Sequence, residues 1–219
     1  MLTRTTTTNA NKTNSNKANS SDTNSAKDGD HKSKNSTSGD TAPPAKPWRP
    51  AGAIEPNPIH LGDEAVKAIV PELDEHLAAI FVLFHQYQKH HWLVEGPQFR
   101  DIHLFLEEGY TKLHKHADDI AERMTAIGGI PTSSPSKMAK LAYVEHEPEG
   151  IYRIRDMLER DRAAEGEIAR RLRETIKLCT EHGDFGTETL LKKILLKVED
   201  RAHHLDHFLG EDSLGLQLE

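Results

Sequence analysis

Five side chains that can bind a metal ion recur along one predicted helix of this 219-residue chain. They stand at offsets of 0, 4, 11, 15 and 19 residues. At about 100° per residue they point to roughly 0°, 40°, 20°, 60° and 100° around the helix axis, so all five share one stripe. Imidazole and carboxylate side chains both ligate metal ions, so the stripe is a candidate metal site. The five residues are His103, Glu107, His114, Asp118 and Glu122.

The length of this helix separates the candidate ligands into two groups. His103 and Asp118 lie about 22 Å apart at roughly 1.5 Å per residue, whereas metal–ligand bonds are about 2.0–2.2 Å long. One ion therefore cannot contact both ends. An isologous two-fold contact centred between the groups would bring Glu107 of one chain beside Asp118 and Glu122 of its copy. The pattern predicts two composite metal sites per dimer, with His91 of the preceding helix completing the His103 half.

The charge of the chain is unevenly distributed. Residues 1–50 hold eight Lys and Arg against four Asp, a net charge of +4, which leaves −11 for the rest of a chain whose total is −7. Because this segment is rich in Thr, Asn, Ser and Lys and has few apolar residues, it is predicted to be a disordered basic arm. It is either a solubilising spacer or an electrostatic arm that contacts DNA phosphates.

The composition of the chain also predicts the cell compartment in which the protein is found. Cys179 is the single cysteine, which excludes an intrachain disulfide and a zinc site built from thiolates. No apolar run approaches the about 20 residues of a membrane span, and the first residues lack the apolar segment of a secretory signal. We therefore expect a cytoplasmic protein with no membrane partner, reaching the nucleoid if the arm binds DNA.

Helical periodicity with no alternating strand pattern predicts an all-α domain. Asp63 is expected to cap a short lead-in helix, and Pro71 to open a long helix ending near Leu93. Three more long helices and one short helix between the second and third complete a predicted four-helix bundle. The inner face of the third long helix is expected to run from Ile151 to Cys179. The predicted segments are an arm (1–50), an extended lead-in (51–62), the bundle (63–210) with helices near 97–127, 134–141, 149–182 and 187–209, and a tail (211–219).

A set of residues at fixed spacing extends the metal-binding stripe on both sides. The set resembles the signature of the Dps family of ferritin-like mini-ferritins. The segment from 85 to 100, HQYQKHHWLVEGPQFR, is most similar to the DpsA type of cyanobacteria and halophilic archaea, and the resemblance covers roughly residues 60–210. The set comprises His91-Trp92, Gly96, Phe99, His103, Glu107, Asp118 and the run Ile120-Ala121-Glu122-Arg123 through Gly128-Gly129.

The resemblance implies a function and an assembly. Members of this family form hollow dodecamers from two-fold dimers, oxidise Fe(II), typically with hydrogen peroxide, and store Fe(III) as mineral, which protects DNA from oxidative damage. Dioxygen is the other oxidant left open. The resemblance implies iron, or zinc at the same site, bound by His91, His103 and Glu107 of one subunit and by Asp118 and Glu122 of its partner, with Trp92 next to the iron.

Two residues of the stripe depart from the common family pattern. Glu107 stands where Asp is usual, and its extra methylene changes the reach to the second iron position. His114 adds a third imidazole one turn before Asp118. It is either a further ligand that favours zinc or an ordinary helix histidine.

The resemblance also implies an acidic three-fold pore for iron uptake near the start of the fourth long helix. Asp184 falls at the matching position with Glu181 and Glu188 near it; the alternative is a polar interhelix turn.

Two other functions stay open at this point. DNA compaction through the arm is one, and a 24-subunit ferritin, which needs Glu-x-x-His motifs that the second long helix lacks, is the other. A histidine cluster on the fourth long helix either packs at an interface or forms a secondary metal site: His203, His204 and His207.

Overall fold

The computed structural model describes residues 45–211. All but the last six residues of the predicted arm, and the predicted tail after residue 211, lie outside the described residues. The described part contains five helices and no strand. The predicted all-α bundle with a short helix in its long connection is therefore confirmed. The helices are α1 (Asp63–Leu93), α2 (Phe99–Ala126), α3 (Pro135–Leu141), α4 (Ile154–Glu181) and α5 (Phe185–Phe208).

Neighbouring long helices run antiparallel. His76 of α1 contacts Thr175 of α4, while His90, further along α1, contacts Asp161, which comes earlier in α4. α1 also packs against α2, and α5 packs against both α4 and α2, so each of the four long helices contacts two others. Consequently α2 and α4 run in the same direction, and the chain between them must return along the length of the bundle. This crossover, residues 127–153, carries α3, which packs on α1.

The helix starts differ from the sequence prediction at two places. α1 is continuous from Asp63, with Gly62 at the N-cap, so Asp63 lies in the first turn and is not the cap. Pro71 lies inside this helix on its exposed side, where water can bind the carbonyl that loses its amide donor. α4 begins at Ile154, after Gly150 adopts a φ of +147°. Ile151 therefore precedes the helix and is 73% exposed, so its predicted place in the inner face is wrong.

Two glycines allow close approaches that position α2, the helix that carries the predicted metal-binding stripe. Gly109, in the middle of α2, faces the ring of Tyr87 so closely that a Cβ would lie 2.6 Å from it. Gly128 ends α2 with a φ of +93°, and a Cβ there would overlap the carbonyl of Glu55. The amide of Glu55 donates to the carbonyl of Gly128 at 2.9 Å, which ties the lead-in to the end of α2. Both contacts fix the position of α2 in the bundle.

Candidate metal centre

His91 and His103 are held together by reciprocal hydrogen bonds. Their rings stack with centroids 3.7 Å apart. Nδ1 of His91 donates to the carbonyl of His103 at 3.0 Å, and Nδ1 of His103 donates to the carbonyl of His91 at 2.9 Å. These bonds place the proton of each neutral ring on Nδ1, so the Nε2 atoms keep the lone pairs that a metal requires.

The sequence between α1 and α2 makes this pairing possible. α1 ends at Leu93, and the chain turns through Gly96, whose φ is +106°, before α2 begins at Phe99. The tight turn lays the last turn of α1 against the first turns of α2. Tyr110 packs its ring edgewise on His91 at 5.3 Å between centroids and holds that ring in place. Trp92 follows His91 in the sequence and is 68% exposed, and its place next to a bound metal stays a prediction.

The other half of the stripe is a cluster of carboxylate side chains further along α2. Asp118, Asp119 and Glu122 each offer an oxygen within 4.8 Å of the others, and no second group of three such ligands forms among residues 45–211. Lys115 contacts Asp118 at 3.5 Å and also pairs with Asp119. The sequence reasoning missed Asp119. Its place directly after Asp118 gives it a direction about 100° away on the helix, so the stripe pattern did not include it.

The structure keeps the two halves of the stripe apart. α2 is one uninterrupted helix from Phe99 to Ala126, so the separation of about 22 Å expected along its axis holds for the folded chain. Glu107 is exposed one turn after His103, and its carbonyl accepts from the Thr111 hydroxyl at 2.8 Å. Within residues 45–211, one chain thus presents two separate sets of candidate ligands and no closed site.

His114 lies on an apolar surface between the two halves. Its ring lies 5.7 Å from that of Phe84 and 6.5 Å from that of Phe81, measured between centroids. It lines a groove of about 510 Å³ with Phe81, Asp118 and Met138 of α3, among others. Within one chain His114 therefore packs as an ordinary helix histidine. Whether it binds metal across a subunit contact stays a prediction.

Asp184, the predicted pore carboxylate, is buried and fully engaged within the chain. It caps α5 by accepting from the amide of Thr187 at 2.9 Å and also accepts from the Thr187 hydroxyl. Arg123 of α2 donates to it at 2.6 Å. These contacts tie the start of α5 to α2. The structure thus gives Asp184 a stabilising role, and its role in an oligomeric pore stays a prediction.

The remaining predicted residues lie at the end of α4 and along α5. Glu181 is exposed at the last turn of α4, and Glu188 pairs with Lys192 one turn along α5. Of these two acids Glu181 is the more open to solvent. Near the far end of α5, three histidines are exposed at the surface: His203, His204 and His207.

A buried polar cluster inside the bundle was not predicted. Arg201 donates two hydrogen bonds to Glu165, at 2.5 and 3.0 Å, and the Tyr87 hydroxyl donates a third at 2.9 Å. One turn earlier in α4, Asp161 accepts from His90 at 2.8 Å. The signal was a gap in the apolar pattern of α4 between Leu158 and Ile168. We call these residues the interior polar cluster: Gln86, Tyr87, Lys89, His90, Glu147, Asp161, Glu165 and Arg201.

The charges of the interior polar cluster compensate one another. Burial alone lowers the pKa of His90, but the hydrogen bonds and negative charges of Asp161 and Glu147 outweigh it and raise that pKa. Burial opposes ionisation of Glu147, yet Lys89 and His90 hold its pKa below the ordinary value. The carboxylates of the bundle interior are thus already paired with the protein's own cations.

Comparison with known proteins identifies the family. The profile described as Ferritin-like domain matches residues 71–214. The chain is 44% identical over 166 residues to the nutrient stress-induced DNA-binding protein of Nostoc sp., covering 75% of this chain and 90% of the relative. A solved structure, an archaeal Dps homologue from Halobacterium salinarum, superposes with a TM-score of 0.75 at 38% identity, covering 79% of this chain and 97% of that one.

A second solved structure is more distant. It is the Dps protein of Vibrio cholerae O1, described as a member of a broad superfamily of ferritin-like diiron-carboxylate proteins. The TM-score is 0.67 at 25% identity, covering 73% of this chain and 99% of that one. No helix within residues 45–211 is both long enough and apolar enough to cross a membrane. By sequence, fold and coverage, the chain belongs to the Dps family of ferritin-like proteins.

Proposed function

We propose that this protein oxidises Fe(II) at dinuclear sites shared across a two-fold subunit contact and stores Fe(III) as mineral inside a dodecameric shell. One observation supports this function above the others. The reciprocal hydrogen bonds of His91 and His103 use Nδ1 of both rings, which leaves Nε2 as the nitrogen that could bind a metal. This arrangement is typical of histidines that ligate a metal. The Vibrio cholerae relative, described as a diiron-carboxylate protein, agrees with iron as the substrate.

The groove beside the stripe supports the two-fold contact. It is largely apolar, is lined by α1, α2 and α3, and includes His114 and Asp118 of the stripe. A second copy seated antiparallel on this surface would cover the half-buried apolar side chains of Phe81, Val82 and Met138. It would also bring the carboxylates of one subunit, Asp118 and Glu122, to the His91 and His103 pair of the other.

The site then has the ligands that paired iron oxidation needs. We assign His91 and His103 to one Fe(II), Asp118 to the inner position and Glu122 to the bridge between two ions. Each Fe(II) loses one electron, hydrogen peroxide accepts both electrons with two protons, its O–O bond breaks, and two waters form. Because the two electrons leave together, hydroxyl radical is not released. If dioxygen is the oxidant, the same two electrons yield hydrogen peroxide.

Glu107 and Asp119 adjust this site to the present chain. The longer side chain of Glu107 extends one methylene further from α2 than Asp would, which would change the position or the occupancy of the second iron. Asp119 adds a carboxylate beside Asp118, within the same 4.8 Å group. The mixed nitrogen and oxygen ligands also suit zinc, which would compete with Fe(II) for the same atoms.

The test is the oxidation rate of a Glu122→Ala variant. Loss of a partner that only orients a ligand costs about 10–100-fold in metal affinity or activity, so loss of a bridging ligand should lower the initial rate by more than about 100-fold. The rate is followed by ferric absorbance after Fe(II) and hydrogen peroxide are mixed with the assembled protein. Glu108→Ala is the matched control, because Glu108 lies on the same helix and pairs with Lys112. A Glu122→Ala variant as fast as the wild type would refute the site.

Iron uptake through an acidic three-fold pore is a further part of this proposal. Glu181 is the exposed carboxylate there, whereas Asp184 is tied to Arg123. We therefore expect Glu181→Gln to slow iron uptake without loss of stability, and Asp184→Asn to lower stability as well. If neither substitution changes uptake kinetics, iron does not enter at this position.

DNA binding through the basic arm is the second candidate function. The relative from Nostoc is named as a DNA-binding protein, and the arm carries net charge +4 on a chain whose remainder carries −11. DNA phosphates would therefore be attracted by the arm and repelled by the body. Deletion of residues 1–50 should abolish DNA retardation at low salt and leave iron oxidation intact. Retained DNA binding would assign that role to the body.

A further inference from the structure

Two exposed histidines on α5 place their ring nitrogens next to each other. Nε2 of His207 lies 3.2 Å from Nε2 of His203, and the ring centroids are 4.4 Å apart. Zinc bonds to imidazole of about 2.0–2.1 Å, at a tetrahedral angle, separate two ligand nitrogens by about 3.3–3.4 Å. The spacing of the pair thus nearly equals the spacing that one ion requires.

We propose that His203 and His207 chelate a divalent transition-metal ion at a second site, separate from the stripe on α2. The two residues are spaced i, i+4 on one helix face, as in zinc-binding helices. At present one Nε2 donates to the other, and an ion would replace the shared proton.

Neighbouring charged side chains define what completes this site. Glu199, one turn before His203, pairs with Arg173 at 2.5 Å. Asp206, beside His207, pairs with Arg162 at 2.6 Å. No group of three close ligands within residues 45–211 includes the pair, so the two imidazoles are the protein ligands of the proposed site. Water would fill the positions left open. Two imidazoles with water select zinc or copper over magnesium or calcium, and copper should bind tightest of the first-row ions.

The experiment is calorimetric titration of the assembled protein with Zn²⁺ at neutral pH. The double variant His203→Ala/His207→Ala should bind one Zn²⁺ fewer per subunit than the wild type, while its Fe(II) oxidation rate stays unchanged. His204→Ala is the control, because it removes an imidazole from the same helix and leaves the pair intact; it should bind the wild-type number. Circular dichroism checks that the variants are folded.

A zinc-edge anomalous map then locates the ion. We expect a peak within about 2.1 Å of both Nε2 atoms. An unchanged Zn²⁺ count in the double variant, or no peak at the pair, would overturn the second site. Because the stripe residues are intact in every variant, failure here is distinguishable from failure of the ferroxidase assignment.

Discussion

This chain holds two collections of carboxylates and histidines, and they differ in their surroundings. In the interior polar cluster, Glu165 is 0% exposed and bound by Arg201, and Asp161 is bound by His90. On the stripe of α2, Glu107 and Glu122 are exposed, and neither has an ion-pair partner within residues 45–211. The interior carboxylates are neutralised by buried cations of the protein, whereas Glu107 and Glu122 are open to cations from solution. Asp118 of the stripe lies 3.5 Å from the exposed Lys115.

This difference in counter-charge indicates which acidic residues of a helical bundle can bind metal. A buried carboxylate without a counter-charge is costly, so a folded chain supplies one, as Arg201 and Lys89 do here. Those cations occupy the space an intrasubunit metal would need. An exposed carboxylate is solvated by water and carries no such cost. It can therefore stay unpaired in one chain and bind a cation where two subunits meet. The proposed metal chemistry therefore belongs to the surface of the bundle and not to its centre.

The largest expected effect of a single substitution on stability lies in the interior. Arg201→Met should lower the free energy of unfolding by about 3–5 kcal/mol, because Glu165 would stay buried without its cation. Arg162→Met is the matched control; its partner Asp206 is exposed, so the loss should be about 0–1 kcal/mol. Urea unfolding followed by circular dichroism measures both. Equal losses in the two variants would remove the contrast between interior and surface.

Acid should destabilise the interior through His76. Burial, with the charge of Arg171, lowers the pKa of this ring to about 3, whereas its ordinary value is 6.5. Between these values the unfolded chain binds a proton that the folded chain does not. Stability should therefore fall as pH drops from 6.5 towards 3, by about 1.4 kcal/mol per pH unit from this group.

The pH dependence is measured by urea unfolding at several pH values. A His76→Gln variant removes the titrating group, so its stability should fall less steeply with acid than that of the wild type. Parallel pH profiles for the two proteins would show that His76 is not held neutral in the folded state.

Substitution in the stripe should produce the opposite pattern. His103→Ala should weaken Fe(II) or Zn²⁺ binding by more than tenfold, since it removes a proposed ligand and the ring that stacks on His91. It also removes the hydrogen bond that the His103 ring donates to the carbonyl of His91. The unfolding free energy should change by only about 1 kcal/mol, as for one hydrogen bond of a half-buried ring. Calorimetric titration with Zn²⁺ and urea unfolding provide the two values. A large loss of stability with unchanged metal affinity would mean that the histidine pair is structural.

The sequence predicted the helices and the stripe better than it predicted the interior. Spacing alone places His103, Glu107 and Asp118 on one face, because an uninterrupted helix converts spacing into direction. Spacing does not identify a partner on another helix. For this reason Glu165 passed unnoticed, since its cation, Arg201, lies 36 residues later in α5. The sequence also did not show that α1 continues through Pro71. The helix continues because the turns before and after the proline both pack in the core, and this packing outweighs the one hydrogen bond that the proline cannot donate.

The shared site is tested most directly by mixing subunits. One variant lacks the imidazole half, His91→Ala/His103→Ala, and the other lacks the acidic half, Asp118→Ala/Glu122→Ala; each alone should be inactive. Subunits exchanged between them by unfolding and refolding together should form mixed dimers with one complete site. Since about half the dimers are mixed and each has one intact site of two, oxidation should return to about a quarter of the wild-type rate. Sites contained within single subunits would give no recovery at all.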